Sequence, residues 1–316
     1  MAGGQCSGSR APAHRYFSLR HRAPVAAVET ELADVALGDH LNSCSLEEVI
    51  AQHGGVESAP WSHTIVRNEH LFVTAICHDP DQYNDNHVHD YDEWWYVMNG
   101  EIDWDMEDVG VLEAKEGDFV FAPALKFHHI HPKTKGSIRL AISFPGAGHL
   151  HETPARAMKF SSTEEGLTSA PPTEGALQSL GESVPRMISA AEMMSRGGGS
   201  LVASNGHCSS SFIMQDPDGP ATQMNDNHVH DSDETWVIVN GEIDWEICDG
   251  ATTKTVHAKK GDIVHVPALV FHHIQPRTKD SVRLALSLPG HGHLHERPLA
   301  RAAFSVDHDE SAQPPQ

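Results

Sequence analysis

The sequence predicts an all-β protein built as two tandem β-barrels or jelly rolls, with a few short peripheral helices. Three observations carry this. A segment of about 140 residues occurs twice. Both copies break into short apolar runs punctuated by Asn-Gly, Gly-Asp and Pro-Gly turns. A stretch over 161–188, rich in Ser, Thr, Glu, Pro and Gly with Pro171-Pro172 at its centre, separates them as a linker. The expected layout is a tail over 1–44, a first barrel over 45–160, the linker, a second barrel over 189–304 and a tail over 305–316.

Taken in order, Ser45-Leu46-Glu47-Glu48 has the S-x-x-E form of a capping box and opens a helix to about Gln52, which Gly54-Gly55 ends. Leu71 to Ile76 reads as a strand that Asp79-Pro80-Asp81 breaks. Trp94 to Met98 is the next strand, Asn99-Gly100 a hairpin signal, and Glu101 to Trp104 the returning strand. Gly117-Asp118 marks a turn, Phe119 to Ala122 a strand ended by Pro123, and the alternating Ser137 to Ser143 closes the unit. The pattern then restarts. Ser189-Ala190-Ala191-Glu192 is a second capping box and Phe212 to Met214 a strand. Asp216-Pro217-Asp218, Asn240-Gly241, Gly261-Asp262 and Ser281 to Ser287 answer their counterparts. The offset is 228 − 87 = 141 early and 272 − 128 = 144 later, which places a three-residue insertion near 251–257.

The chain of 316 residues is long enough for a core in each half. Its formal charge of −22 argues against a nucleic-acid backbone or an anionic membrane as partner. It has no run of 18 apolar residues, so no membrane span is expected. The five cysteines are widely spaced without a C-x-x-C, which fits a reducing compartment rather than a disulfide framework. A cytoplasmic protein is expected. The first 28 residues carry Arg10, Arg15, Arg20 and Arg22 and no acid, as organellar transit peptides do, but Pro12 and Pro24 interrupt any amphipathic helix.

Chemistry concentrates in one duplicated stretch, Asn84 to Trp95, repeated as Asn225 to Trp236. His87 and His89 lie one residue apart and so face one side of a strand, and Glu93 can return to that side after a bend. His228, His230 and Glu234 repeat the set. Phe127-His128-His129 and Phe271-His272-His273 supply a fourth candidate each, with His128 and His272 preferred because adjacent residues face opposite ways. Such convergence is the start of a divalent-metal site.

At these residues the sequence resembles the cupin superfamily, as a bicupin. His87, His89, Glu93, Gly100, Gly117, Pro123 and His128 fit the cupin pattern, and His228, His230, Glu234, Gly241, Gly261, Pro267 and His272 fit it again. Leu125 and Leu269 depart from it where the family has glycine, and Pro132 and Pro276 stand where asparagine is frequent. The resemblance implies cupin-type barrels with His87, His89, Glu93 and His128, and His228, His230, Glu234 and His272, as metal ligands. Three imidazoles and a carboxylate leave open positions on an octahedral ion. That set suits Fe(II), the favoured metal, and also Mn(II), Ni(II), Cu(II) or Zn(II). The implied activity is an Fe(II) dioxygenase cleaving a small, oxygenated and anionic aromatic or enolic substrate, with dioxygen as co-substrate. The alternatives are an Mn-dependent decarboxylase resembling oxalate decarboxylases, a metal-dependent lyase or isomerase, and a non-catalytic binding or storage protein. A homo-oligomer is compatible with all of them.

Other side chains have two readings. Trp95 and Trp236 share the ligand-facing side, where they wall a pocket or fill the core. Arg139 and Arg283 alternate with Ile138, Leu140 and Ile142 or their counterparts. The hydrophobic face is expected inside, leaving the arginines toward solvent; the opposite setting would let them grip a substrate carboxylate. His149-Leu150-His151-Glu152 and His293-Leu294-His295-Glu296 read as strand-end segments that pair with the other half or a second subunit. Asp90, Asp92, Asp231 and Asp233 read as solvated turn residues.

Overall fold

The computed structural model describes residues 43–82, 86–145, 149–152, 160–161, 185–196, 200–218, 227–248, 253–290, 293–296 and 304–306. Residues 1–42 and 307–316 of the expected tails, the centre of the linker and any transit segment lie outside these residues, whereas the inner ends of both tails form strands, Ser43–Ser45 and Phe304–Val306. The described residues form four six-stranded antiparallel sheets, two for each repeat. In the first repeat one sheet runs, in spatial order, Phe119–Ala122, Glu93–Asn99, Ser137–Ser143, Phe72–His78 and Trp61–Arg67, with a sixth strand at the Phe119–Ala122 edge. Its partner sheet runs Phe160–Ser161, His149–Glu152, His87–His89, His128–Pro132, Glu101–Met106 and Gly110–Lys115. The second repeat follows the same order. The expected pair of cupin-type barrels is what the chain forms.

The two sheets of a barrel differ in how they are covered. Glu101–Met106 alternates exposed Glu101 and Asp105 with buried Ile102, Trp104 and Met106, so one face meets solvent. Glu93–Asn99 has no such alternation, because both of its faces are covered. Trp95 and Val97 point into the barrel with Ile102, Trp104 and Ile130. Trp94, Tyr96 and Met98 point out, into a core that also holds Phe212, Val237, Ile263, Leu284 and Leu286 of the second repeat. At about 1.5–3 kcal/mol for each large apolar side chain buried, this shared core welds the barrels together.

That arrangement overturns the expected orientation of Ser137–Ser143. Ile138, Leu140 and Ile142 belong to the core between the repeats, whereas Ala141 belongs to the barrel interior. Arg139 shares the interior face and is 4% exposed, and Arg283 is 5% exposed in the equivalent place. The apolar face of the strand is inside the protein but outside the barrel.

The repeats also exchange their first elements. Strand Ser43–Ser45 of the first repeat pairs with Asp262–Val264 of the second. Strand Arg186–Ile188, at the end of the expected linker, pairs with Phe119–Phe121 of the first. Helix α1 (Leu46–Gln52) and helix α2 (Ala190–Arg196) follow these strands. The first capping box does not close. Ser45, the last residue of the exchanged strand, makes no side-chain cap bond. In the second the serine half forms, with the Glu192 amide donating to Ser189 Oγ at 3.2 Å, while the Glu192 carboxylate pairs with Arg196.

Asn99-Gly100 is not a hairpin either. The strands it joins lie in different sheets, and Gly100 turns the corner between them at φ +82°. A Cβ there would fall 2.4 Å from Thr134 Oγ1, so the glycine is required by close approach as well as by its dihedral. The hairpin lies further on, where Trp104 pairs with Leu112. Asn240-Gly241 turns the same corner in the second barrel.

Leu125 and Leu269 occupy left-handed backbone at φ +63° and +64°, and their side chains are 53% and 70% exposed. Left-handed backbone costs an L-residue about 1–2 kcal/mol, against about 0.5–1 kcal/mol for the entropy of a glycine. Leu125→Gly is therefore expected to leave stability unchanged or to raise it by up to about 1.5 kcal/mol, as chemical denaturation would show. A clear loss would mean that the exposed side chain makes stabilising contacts.

Candidate metal centres

His87 and His89 end up side by side because their strand is short and side chains alternate. His128 opens its own strand directly opposite His87. Glu93 begins the strand of the facing sheet after the bend 90–92. One donor atom from each of His87, His89, Glu93 and His128 lies within 4.8 Å of all the others. The second repeat places His272 opposite His228 and brings His228, His230 and His272 within the same 4.8 Å. Glu234 stands outside that group of three, with Oε2 2.8 Å from His230 Nε2 and 4.0 Å from His272 Nε2. The corresponding distances for Glu93 are 2.7 and 3.8 Å.

The tautomers follow from hydrogen bonds. His128 Nδ1 lies 3.0 Å from the Lys126 carbonyl, and His272 Nδ1 lies 3.1 Å from that of Val270. A carbonyl only accepts, so both Nδ1 atoms carry the proton and Nε2 offers its lone pair to the cluster. Burial and then neighbouring histidines push the His128 pKa down to about 4 and the His272 pKa down to about 3. The neutral imidazole is the form that binds a metal. Both Nε2 atoms are buried without a hydrogen-bond partner among the described residues. An unsatisfied buried nitrogen is costly, and a divalent ion at that point would satisfy it. The residues present fit a metal.

Trp95 meets His128 edge to face at 5.0 Å between ring centroids and is 1% exposed, and Trp236 meets His272 at 5.2 Å. Both indoles thus face the cluster and also belong to the core, packing behind one histidine. His129 faces the other way, with His131 at 3.8 Å.

Arg139 and Arg283 are on the interior face, and the charges of Glu93 and Glu234 act on them. Burial pulls each guanidinium down to about 10. Arg139 Nη1 lies 3.4 Å from His78 Nδ1, and Arg283 Nη1 donates to Gln215 Oε1 at 2.7 Å. Each Nε is buried without a hydrogen-bond partner, and neither arginine has an ion pair among the described residues.

Two expectations near the clusters fail. Asp92 is not solvated but 2% exposed. Its Oδ1 accepts from the Ala124 amide at 2.9 Å and its Oδ2 from Asn205 Nδ2 at 3.3 Å. Asp90 is also buried, at 6% exposed, whereas Asp231 of the second repeat is exposed as expected and Asp233 half-buried. The strand His149–Glu152 pairs with its own repeat: His149 opposite His89 and His151 opposite His87. His293–Glu296 pairs with His228–His230 in the same way. Each sheet needs a strand beside its ligand strand, and the nearest available one is local.

Sequence reasoning missed Asn68 and Asn205. A signal was present: Asn68-Glu69-His70 and Asn205-Gly206-His207 repeat at 205 − 68 = 137 and 207 − 70 = 137. The repeats also differ in the bend before the glutamate and on the outer face of the strand that the glutamate opens. Tyr91 stacks on Phe144 at 4.5 Å and His207 lies 4.1 Å from Phe144. The second repeat has Ser232 and Leu288 at these places. Trp94 and Phe121 are replaced by Thr235 and His265, which hydrogen bond at 2.9 Å.

The family described as Cupin domain matches residues 76–144 and 217–288. No curated protein matches the chain. Among solved structures, salicylate 1,2-dioxygenase from Pseudaminobacter salicylatoxidans is similar at TM-score 0.55 and 12% identity, covering 78% of this chain and 83% of that one. A Cupin 2 conserved barrel domain protein from Leptotrichia buccalis is similar at TM-score 0.51 and 13% identity, covering 80% and 99%. A single-substitution mutant of the dioxygenase, in complex with gentisate, is similar at TM-score 0.53 and 12% identity, covering 78% and 81%. At these identities the likeness shows the fold alone. No helix among the described residues is long and apolar enough to cross a membrane.

Proposed function

The chain is a bicupin, a member of the cupin superfamily, and from that premise we propose that it is a metal-dependent dioxygenase acting on a small, oxygenated, anionic molecule. His87, His89, Glu93 and His128 would hold one divalent metal, and His228, His230, Glu234 and His272 a second, with Fe(II) the favoured ion. When bound, such an ion supplies redox chemistry toward dioxygen and polarises substrate oxygens. The observation that carries the substrate class is the buried guanidinium. A cation taken out of water without an ion-pair partner is expensive, and an incoming carboxylate would relieve that cost in each barrel. Arg139 and Arg283 would orient the anion toward the histidine cluster on the same interior face. Trp95 and Trp236 keep His128 and His272 in place and keep water off their inner edges. The Lys126 and Val270 carbonyls hold the two rings in the ligating tautomer. The likeness to salicylate 1,2-dioxygenase and to the gentisate complex of its mutant agrees with this reading without establishing it.

A second reading is redox-neutral chemistry by an Mn(II) decarboxylase, lyase or isomerase. The near-equal geometry of the two clusters favours it, since both barrels are equipped alike. Protein purified without chelator or histidine tag is expected to carry metal and, with Fe(II), to consume oxygen with a hydroxybenzoate, catechol, hydroxyanthranilate or diketone. Turnover under strict anaerobiosis, for instance of oxalate, would select the second reading. Absence of bound metal would rule out both.

A further inference from the structure

We propose that Asn205 and Asn68 are positioning residues, each holding the metal-binding loops of the opposite repeat in register. The assignment rests on the metal reading above. Asn205 belongs to the second repeat and donates from Nδ2 to Asp92 Oδ2 of the first at 3.3 Å. Asn68 belongs to the first and donates from Nδ2 to Asp233 Oδ2 of the second at 3.0 Å. Each aspartate immediately precedes a candidate ligand, Glu93 or Glu234.

The orientation of both amides is fixed from behind. Asn68 Oδ1 accepts from the amides of His70 at 2.9 Å and Leu71 at 2.7 Å. Asn205 Oδ1 accepts from His207 at 2.9 Å and Cys208 at 3.0 Å. An oxygen occupied by two N–H groups leaves only the NH2 end to face the aspartate. The loop therefore presents a pre-set donor across the interface.

The aspartates pass this constraint to the ligands. Asp92 Oδ1 accepts from Ala124 at 2.9 Å, and the next residue, Leu125, donates its amide to the His89 carbonyl at 2.7 Å. Asp233, Ala268, Leu269 and His230 repeat the chain at 2.8 and 2.8 Å. One carboxylate thus ties together the bend before the glutamate, the segment leading to His128 or His272, and the strand carrying the first two histidines. The remaining Asp92 oxygen is held only from the other repeat among the hydrogen bonds described. Without Asn205 it is a buried acceptor with no donor, so the bend must open toward water to satisfy it. Asp233 is half-buried, and His265 Nε2 of its own repeat stands 3.9 Å from the same oxygen, so the constraint from Asn68 is the weaker of the two. Partners of this outer kind change metal affinity by about 10–100-fold.

The diagnostic is a crossed pattern, which a general loss of interface stability does not produce. Full-length protein would be titrated with Co(II) and followed by its ligand-field absorption. His272→Ala isolates the first centre and His128→Ala the second. In the first background Asn205→Ala is expected to weaken Co(II) binding about 10–100-fold and to alter the spectrum. In the second background it should change affinity less than about twofold, a small fraction of that outer-partner effect. Asn68→Ala should give the mirror pattern at a smaller size, because Asp233 is half-buried and also faces His265. The exchanged pair Asp92→Asn with Asn205→Asp rebuilds the same bond with donor and acceptor reversed. It is expected to restore the first centre, and it keeps the test decisive if Asn205→Ala does not fold. Unchanged affinity, equal losses at both centres, or failure of the exchanged pair overturns the assignment. A wild-type chain that takes up no Co(II) overturns the metal reading itself, and the assignment with it.

Discussion

Replacing Arg139 by methionine is expected to raise the unfolding free energy by about 1–4 kcal/mol while raising the KM for an anionic substrate about thirtyfold or more. The stability gain comes from removing a charge that is 4% exposed and has no ion pair among the described residues. Methionine fills similar space without needing solvation. The loss of affinity comes from the same guanidinium, whose Nε is buried without a hydrogen-bond partner among the described residues. Urea unfolding of the metal-free protein and steady-state kinetics of the loaded protein check the two halves separately. A destabilised Arg139→Met would mean that the His78 contact and the packing of the aliphatic stem outweigh desolvation. Unchanged KM would remove Arg139 from the substrate site.

His87→Ala and His228→Ala are each expected to reduce bound metal from two ions to one per chain, yet to differ by at least about tenfold in residual activity. The first expectation follows from the ring clusters, since each histidine lies 4.3 Å from its partner across the ladder and cannot be replaced locally. A ligand should matter at least as much as the outer partners whose loss costs about 10–100-fold. The second follows from the unequal surroundings. Tyr91 of the bend before Glu93 packs with Phe144 and His207, where the second repeat has Ser232 and Leu288. On the outer face of the strand that opens with the glutamate, Thr235 and His265 replace Trp94 and Phe121. Substrate handling should differ even where metal ligation does not. Equal abolition of turnover by both substitutions would exclude one dominant centre.

What the sequence made legible is what local geometry controls. His87 and His89, or His228 and His230, converge because a strand has period 2, and the duplication repeats that argument without further information. The preference for His128 over His129 rested on the same alternation. Arg139 could not be oriented this way. Both faces of its strand are buried, and which one is the barrel interior depends on packing 100 or so residues away in sequence, a non-local contact that patterning does not encode. Asn99-Gly100 misled for a related reason. A glycine needed at positive φ serves a sheet-to-sheet corner as well as a hairpin, and only the partner strands distinguish them. Asp92 looked like a turn residue because Asp is a turn former. Its burial is a property of the neighbouring repeat.

The exchange of Ser43–Ser45 and Arg186–Ile188 has a consequence for how the protein is made and how it arose. A nascent chain that has left the ribosome only as far as residue 161 holds a first sheet still open at Phe119–Ala122, and a leading strand whose partner, Asp262–Val266, has not been synthesised. The first repeat's open sheet gains its sixth strand once residue 188 has emerged, whereas the leading strand Ser43–Ser45 stays unpaired until most of the second repeat has followed. The first strand made is thus among the last to find its partner. The same pairs would form between two separate single-repeat chains that traded their leading arms. In that light the tandem gene preserves, on one polypeptide, the architecture of an arm-exchanged dimer, and its linker replaces a subunit boundary.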